Sequence, residues 1–493
     1  MIRALSVLAA MGLLIGAAGV ATAQAPTVTS TQAPAVVWAA CVGENAQPGA
    51  ECATLTVPLD HRRPGAGTVS LALARLPALE PARRVGALLL NPGGPGGSGV
   101  GAVAYDPTLS GAPEFTELRA RFDIVGFDPR GVGASTPVVC QEPLHDPTVT
   151  PFPRNATEFA ALTRFNRAGG ESCREATGPL IDHVDTASVV ADVDLIRAAL
   201  GERTISFLGL SYGTEIGARY AERYPQRVRT MVLDGVVDHS RSARRAAVDE
   251  ARATEVALRH FASWCATSAD CPLAGQDVVA VYDGVLAAAD RGALPAAILG
   301  RAVTAPEVAQ GAYGYLTLEQ GWPLLAGALA VAAGFTGPAD ASHLVGAANF
   351  VAPTYPAYRT VGCHDFAPDT RGWVDMVAQA AVLRAVAPHT WRYSEFWDWT
   401  AGCAGWPVPP ANAPHRLSVR GAPPILLVST TYDPATPYVW AQAVQRDIAG
   451  SRLLTVDSDG HTGILHSSCA RTEMARYLVS GVLPARGAVC SGE

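Results

Sequence analysis

The 493-residue chain is 49% apolar and only 16% charged, which permits a sizeable core and excludes a disordered or charge-run protein. Its formal net charge is −7 without long single-sign runs, so no nucleic-acid partner is expected. All 37 basic residues are arginine, which removes lysine from every catalytic or phosphate-binding role.

Taken in order, Met1-Ile2-Arg3, an apolar run over 4–20 and Ala21-Thr22-Ala23 predict a signal peptide, residues 1–23, cut before Gln24. Without a second apolar stretch of spanning length, the expectation is a secreted, extracellular protein with no stable membrane insertion after signal removal. Residues 24–40, Ala/Thr/Pro-rich, read as a flexible leader. The ten cysteines suit an oxidising compartment, and sequence proximity suggests Cys41 with Cys52, Cys140 with Cys173, Cys265 with Cys271, Cys363 with Cys403 and Cys469 with Cys490. No Cys/His cluster has zinc-ligand spacing, so no metal site is expected.

Strands are predicted over 53–57, 69–75 and 85–90, the last a wholly apolar run that enters the glycine-rich stretch 91–99. A strand over 122–128 leads to a second Gly-rich turn, 129–135. A helix over 186–200 carries Val189, Val193, Ile196 and Leu200 at helical spacing. The apolar run 205–208 enters Gly209-Leu210-Ser211-Tyr212-Gly213, then a helix to Arg223 and a strand over 230–236. Residues 240–415 change to Ala-rich helical segments, and strands return over 424–430 and 451–456. This pattern is an α/β fold: a mostly parallel sheet with helices on both faces, whose core is split into 41–239 and 416–493 by a helical cap insertion over 240–415.

The chemistry centres on Ser211. A serine in G-x-S-x-G between strand and helix occupies a strained elbow that lifts its hydroxyl above the sheet edge. Activating it takes a base, and the base takes an acid that fixes its tautomer. Asp433 follows the strand that reopens the sheet and His461 follows the next strand, which is the chain order Ser, acid, His expected of this architecture. The competing readings make Asp433 a turn cap and His461 a solvated loop residue, with Asp457, Asp459 and His466 as neighbouring rivals. Two oxyanion donors are expected, the backbone N–H of Tyr212 and that of Gly94 in the Gly-rich loop. A phosphate-binding reading of that loop fails for want of a following Gly-Lys-Ser/Thr.

As a set, the motifs 91–99, 126–135, 209–213, 232–238, 433–437 and 460–462 resemble those of the secreted tripeptidyl aminopeptidase branch of the proline iminopeptidase-like α/β-hydrolase family. The resemblance spans nearly the whole mature chain and implies the α/β-hydrolase fold. It further implies a serine exopeptidase acting on peptides with free N-termini, without metal or organic cofactor, and here expected to be a monomer. Binding a protonated amine requires carboxylates facing the pocket. Asp365 matches an acidic position of the family, and Glu215 stands where the resemblance puts an aromatic residue; a salt bridge with Arg219 is the alternative role for Glu215. The tryptophans at 391, 397, 399 and 406 line a pocket or form aromatic core. Two rival functions are a carboxylesterase or lipase-like hydrolase, and a non-catalytic binding protein on the same fold.

Overall fold

The computed structural model describes residues 36–366 and 368–493. The expected signal peptide and most of the leader lie outside the described residues. A ten-stranded sheet runs through the protein in the order β1-β2-β3-β5-β4-β6-β7-β10-β11-β12. Its antiparallel edge comprises β1 (Ala39–Ala40), β2 (Glu51–Pro58) and β3 (Thr68–Leu76). The parallel part comprises β4 (Gly86–Asn91), β5 (Phe122–Phe127), β6 (Ile205–Leu210), β7 (Val228–Asp234), β10 (Leu426–Tyr432), β11 (Arg452–Asp459) and β12 (Val489–Ser491). The short strands β8 (Pro295–Ala296) and β9 (Arg301–Ala302) pair apart from this sheet.

The central strands β4 and β6 are buried along their whole length, which is why they read as continuous apolar runs and not as alternating ones. Alternation shows instead in the destination of each side chain: Leu88 and Leu90 join one core, Leu89 the opposite one. On one face lie α1 (Gly99–Ala104), α2 (Pro107–Ser110), α3 (Thr116–Arg121) and, from the chain end, α16 (Gly463–His466) and α17 (Ser468–Ser480), with Val103, Leu118 and Met474 in the core. The other face is covered by α4 (Ala156–Thr177), α5 (Thr186–Ala199), α6 (Gly213–Arg223) and α15 (Tyr438–Asp447), with Val189, Ile196, Ile216 and Trp440 in the core. The helix α4, capped by the Asn155 side chain, has no counterpart in the sequence-based reading.

Between the neighbouring strands β7 and β10 the chain inserts α7 (Ala243–Thr267), α8 (Val278–Asp290), α9 (Ala305–Leu316), α10 (Trp322–Ala332), α11 (Ser342–Val345), α12 (Tyr355–Asp365), α13 (Trp373–Val386) and α14 (Glu395–Gly402). Part of this segment builds its own core around Phe261, Leu286, Leu325 and Leu329. The start of α9 shows why a break falls there: Thr304 and Glu307 form a reciprocal capping box.

All five suggested cysteine pairs are disulfides. The leader is corrected at its end, because Ala39 and Ala40 pair with Cys52 and Glu51 and the Cys41–Cys52 disulfide pins that edge. The strand expected over 230–236 is shifted two residues earlier, since the sheet bonds of β7 stop at Asp234 and Gly235 turns away with φ +70°.

Arg130, which follows β5, is fully buried and forks onto Asp192 with two bonds of 2.6 Å; it also donates to the carbonyls of Leu59, Pro58 and His183. It fastens the β2 loop, the stretch before α5 and α5 itself to the sheet. Arg130→Ala leaves the buried Asp192 carboxylate with His61 as its one remaining ionic contact among the described residues and should destabilise the fold by about 3–5 kcal/mol. Chemical denaturation would read this as a lower midpoint.

Candidate active site

The strands β6, β7, β10 and β11 are adjacent and parallel, so their C-terminal ends form one rim. Ser211 leaves β6 with φ +54°, a left-handed conformation that an L residue adopts only under constraint. The glycines around it answer to close packing: a Cβ on Gly209 would lie 2.4 Å from the Gly213 carbonyl oxygen, and one on Gly213 would lie 2.5 Å from that of Asn91. Any larger residue at either position would push the elbow apart. The helix α6 then starts at Gly213, directly behind the serine.

Asp433 lies just past β10, and its side chain is fully buried. It accepts hydrogen bonds from the N–H groups of Ala435 and Thr436 and from the Thr436 hydroxyl, each at 2.8 Å. Both its oxygens face His461 Nδ1, at 2.8 and 3.0 Å. The ring's Nε2 is buried without a partner among the described residues, and His461 lines the same cavity as Ser211. Burial pushes the His461 pKa down, but the charge and hydrogen bond of Asp433, helped by Glu395 and Asp234, outweigh it, so the net shift is upward. Of the rivals, Asp459 pairs with His260 at 2.8 Å, and His466 is fully buried, with its pKa lowered chiefly by that burial.

Gly94 lines the cavity beside Ser211. Among the described residues, neither its backbone N–H nor that of Tyr212 donates to a carbonyl. The cavity, about 490 Å³, lies between this rim and the inserted helices, which contribute Gln310, Tyr313, Thr317, Tyr393 and Glu395. That size suits a small ligand.

The two carboxylates expected to face the substrate do not line this cavity. Asp365 is fully buried and is consumed by Thr186, which donates from both its amide and hydroxyl, and by the Tyr212 hydroxyl at 2.7 Å. Glu215 is also fully buried, 3.4 Å from His239 Nδ1 and 3.8 Å from Arg219 Nε, so the expected Arg219 pairing is a loose one. The expectation that Asp365 and Glu215 face this cavity is corrected, because α6 and α12 turn these side chains into the packed layer behind the elbow. The carboxyl that does line the cavity is Glu395, the first residue of α14. Removal from water raises its pKa to about 7, against the pull of His461. Glu250 on α7, fully buried and also raised by burial, adds to this electrostatic setting and accepts from the Phe396 amide at 3.0 Å. Sequence reading missed both, for Glu395 sits in an aromatic-rich stretch without a motif. Trp397 and Trp399 are buried and stack on Phe152 and Phe366, which makes them core.

Residues 86–289 match the family model described as alpha/beta hydrolase fold, and residues 389–490 match that of the TAP-like proteins. The serine protease Hip1 of Mycobacterium tuberculosis is 33% identical over 98% of this chain and 96% of its own. The chain belongs to the TAP-like α/β-hydrolase family. This TAP-like hydrolase is therefore an enzyme of the serine-hydrolase class. It is also similar to the tripeptidyl aminopeptidase of Streptomyces coelicolor, with 31% identity over 92% of this chain and 85% of the relative. Carboxylesterase B of M. tuberculosis is 32% identical over 99% of this chain and 98% of the relative.

In the TAP-like hydrolase, Asp433→Asn should slow labelling of Ser211 by a fluorophosphonate on the order of 10⁴-fold, because the amide can neither fix the imidazole tautomer nor stabilise its cation. If neutral His461 is the working base, the acid limb of kcat/KM should lie above the ordinary histidine value of 6.5, since its pKa is raised. A pH profile locates that limb.

Proposed function

We propose that the protein is a secreted serine exopeptidase that removes short units, tripeptides among them, from peptides with free N-termini. Ser211 Oγ attacks the scissile carbonyl while His461 Nε2 takes its proton. The tetrahedral oxyanion is held by the N–H groups of Gly94 and Tyr212. His461 then protonates the departing amine, leaving the N-terminal unit as an ester on Ser211. Water, activated by the same imidazole, releases it. Asp433 fixes the ring and balances its positive charge in both halves. The inserted helices act as a cap whose cavity wall decides which N-terminus fits, and no metal or cofactor enters the scheme. The disulfides and the signal-like start support secretion.

The observation that carries the peptidase reading is Glu395, whose carboxyl lines the Ser211 cavity and is pushed toward its neutral form by removal from water. Its pKa near 7 suits it to meet an ammonium group, whose charge would draw the proton off. The relatives named tripeptidyl aminopeptidase and serine protease lend the same reading support. A carboxylesterase is the second reading, favoured by the relative of that name.

Hydrolysis of a tripeptide anilide with a free amine, its N-acetylated twin and a short acyl p-nitrophenyl ester separates the two, with Ser211→Ala as control. Turnover of the free-amine anilide with refusal of its acetylated twin is the expected outcome. Glu395→Gln should then raise KM for the free-amine anilide roughly 10- to 100-fold and leave the ester almost untouched. Ester turnover with neither anilide cleaved would overturn the peptidase.

A further inference from the structure

Among the described residues, two that are not glycine adopt left-handed φ: Ser211 at +54° and Thr462 at +67°. One is the elbow serine, and the other directly follows His461. Backbone held in this region needs its surroundings to impose it. Asp234, the last residue of β7, contacts both turns. Its carbonyl oxygen accepts the Ser211 N–H at 2.8 Å. Its carboxylate, fully buried, accepts the N–H of Gly463 on Oδ1 and that of Ile464 on Oδ2, both at 2.8 Å.

The register explains how one residue reaches both. Asp234 is opposite Leu210 of β6 on one side and Val428 of β10 on the other, so it stands in the rim between the nucleophile strand and the strand that leads to Asp433. The next residue, Gly235, donates to the Val428 carbonyl at 3.0 Å and passes beneath the imidazole: a Cβ there would lie 2.9 Å from His461 Cε1 and 3.0 Å from Thr462 Cγ2. The carboxylate itself makes no hydrogen bond to His461 Nδ1, which faces Asp433 and Thr436.

We propose that Asp234 is a positioning residue that clamps the two strained turns to each other and so sets His461 against Ser211. The proposal rests on the reading of these two residues as base and nucleophile. The buried carboxyl has no cation in hydrogen-bond contact among the described residues and relies on the two amides. Burial raises its pKa to about 7, the two amides and the charge of His461 pull it down, and Asp433 pushes it up. Protonation takes away one acceptor, so the clamp is complete only above that range.

The test is Asp234→Asn, which keeps one acceptor, points an NH₂ at the other amide and removes the charge. It should lower kcat for the free-amine anilide on the order of 10²-fold while KM stays near the wild-type value, as expected when reacting groups are misplaced by a fraction of an ångström. Its acid limb should also move to lower pH, since a negative charge that favours protonated His461 is gone. A residue that merely supports the fold would move neither the limb nor the ratio of kcat to KM. Wild-type kcat with an unmoved limb would overturn the proposal.

Should the variant fail to fold, hydrogen exchange in the wild-type protein decides. Protection of the Gly463 and Ile464 amides, corrected for intrinsic rates, should fall as the pH drops through about 7; equal protection on both sides would overturn the clamp. Failure of the underlying function has a different sign. A wild-type protein that a fluorophosphonate does not label at Ser211 would remove the nucleophile and with it the positioning role, whatever the exchange shows.

Discussion

A left-handed backbone at Ser211 costs about 1–3 kcal/mol relative to an ordinary turn, and the rest of the rim is built to hold it. Strand β6 delivers the serine, α6 starts behind it, and Gly209 and Gly213 allow strand, helix and the Asn91 loop to close within contact distance. The same constraint orders the neighbours. Because β6, β7, β10 and β11 are parallel and adjacent, each ends at the same edge and places Ser211, Asp234, Asp433 and His461 on one line. An antiparallel arrangement would send alternate members to opposite ends of the sheet.

Electrostatics at this rim is a balance of buried charges. Asp433 keeps its negative charge company with three donors of its own turn and faces His461 with both oxygens. Asp234 and Glu395 are shifted upward to about 7 by burial, each while His461 pulls the other way. A histidine surrounded by three carboxyls is held above its usual pKa even though it is itself withdrawn from water. Arrangements in which burial and charge oppose each other are characteristic of sites that move protons.

The inserted segment gives the site its outer wall and is tied to the rim by more than proximity. The Thr317 carbonyl accepts the His461 amide at 2.7 Å, and His260 on α7 pairs with Asp459 two residues before it. Thus the loop that carries the imidazole is held from both sides: by the sheet through Asp234 and by the inserted helices through Thr317 and His260. The loop with His461 thus touches both the sheet and the inserted segment, so a change in how these helices sit would reach the imidazole.

The sequence by itself determined the sheet and its rim. Apolar runs, the G-x-S-x-G elbow and the order of Ser211, Asp433 and His461 are local signals, set by strand burial and by a turn whose sterics admit only glycine at its flanks. Disulfide partners were legible for a related reason, since each joins cysteines close along the chain. Tertiary structure alone decided which carboxylates face the cavity. Asp365 and Glu215 lie beside recognisable motifs, yet their helices turn them into the packed layer behind the elbow, whereas Glu395 comes from a motif-free stretch. The direction in which a helix presents a residue depends on what it packs against, and for α6, α12 and α14 those partners lie up to hundreds of residues away in the chain, where no local pattern can specify them.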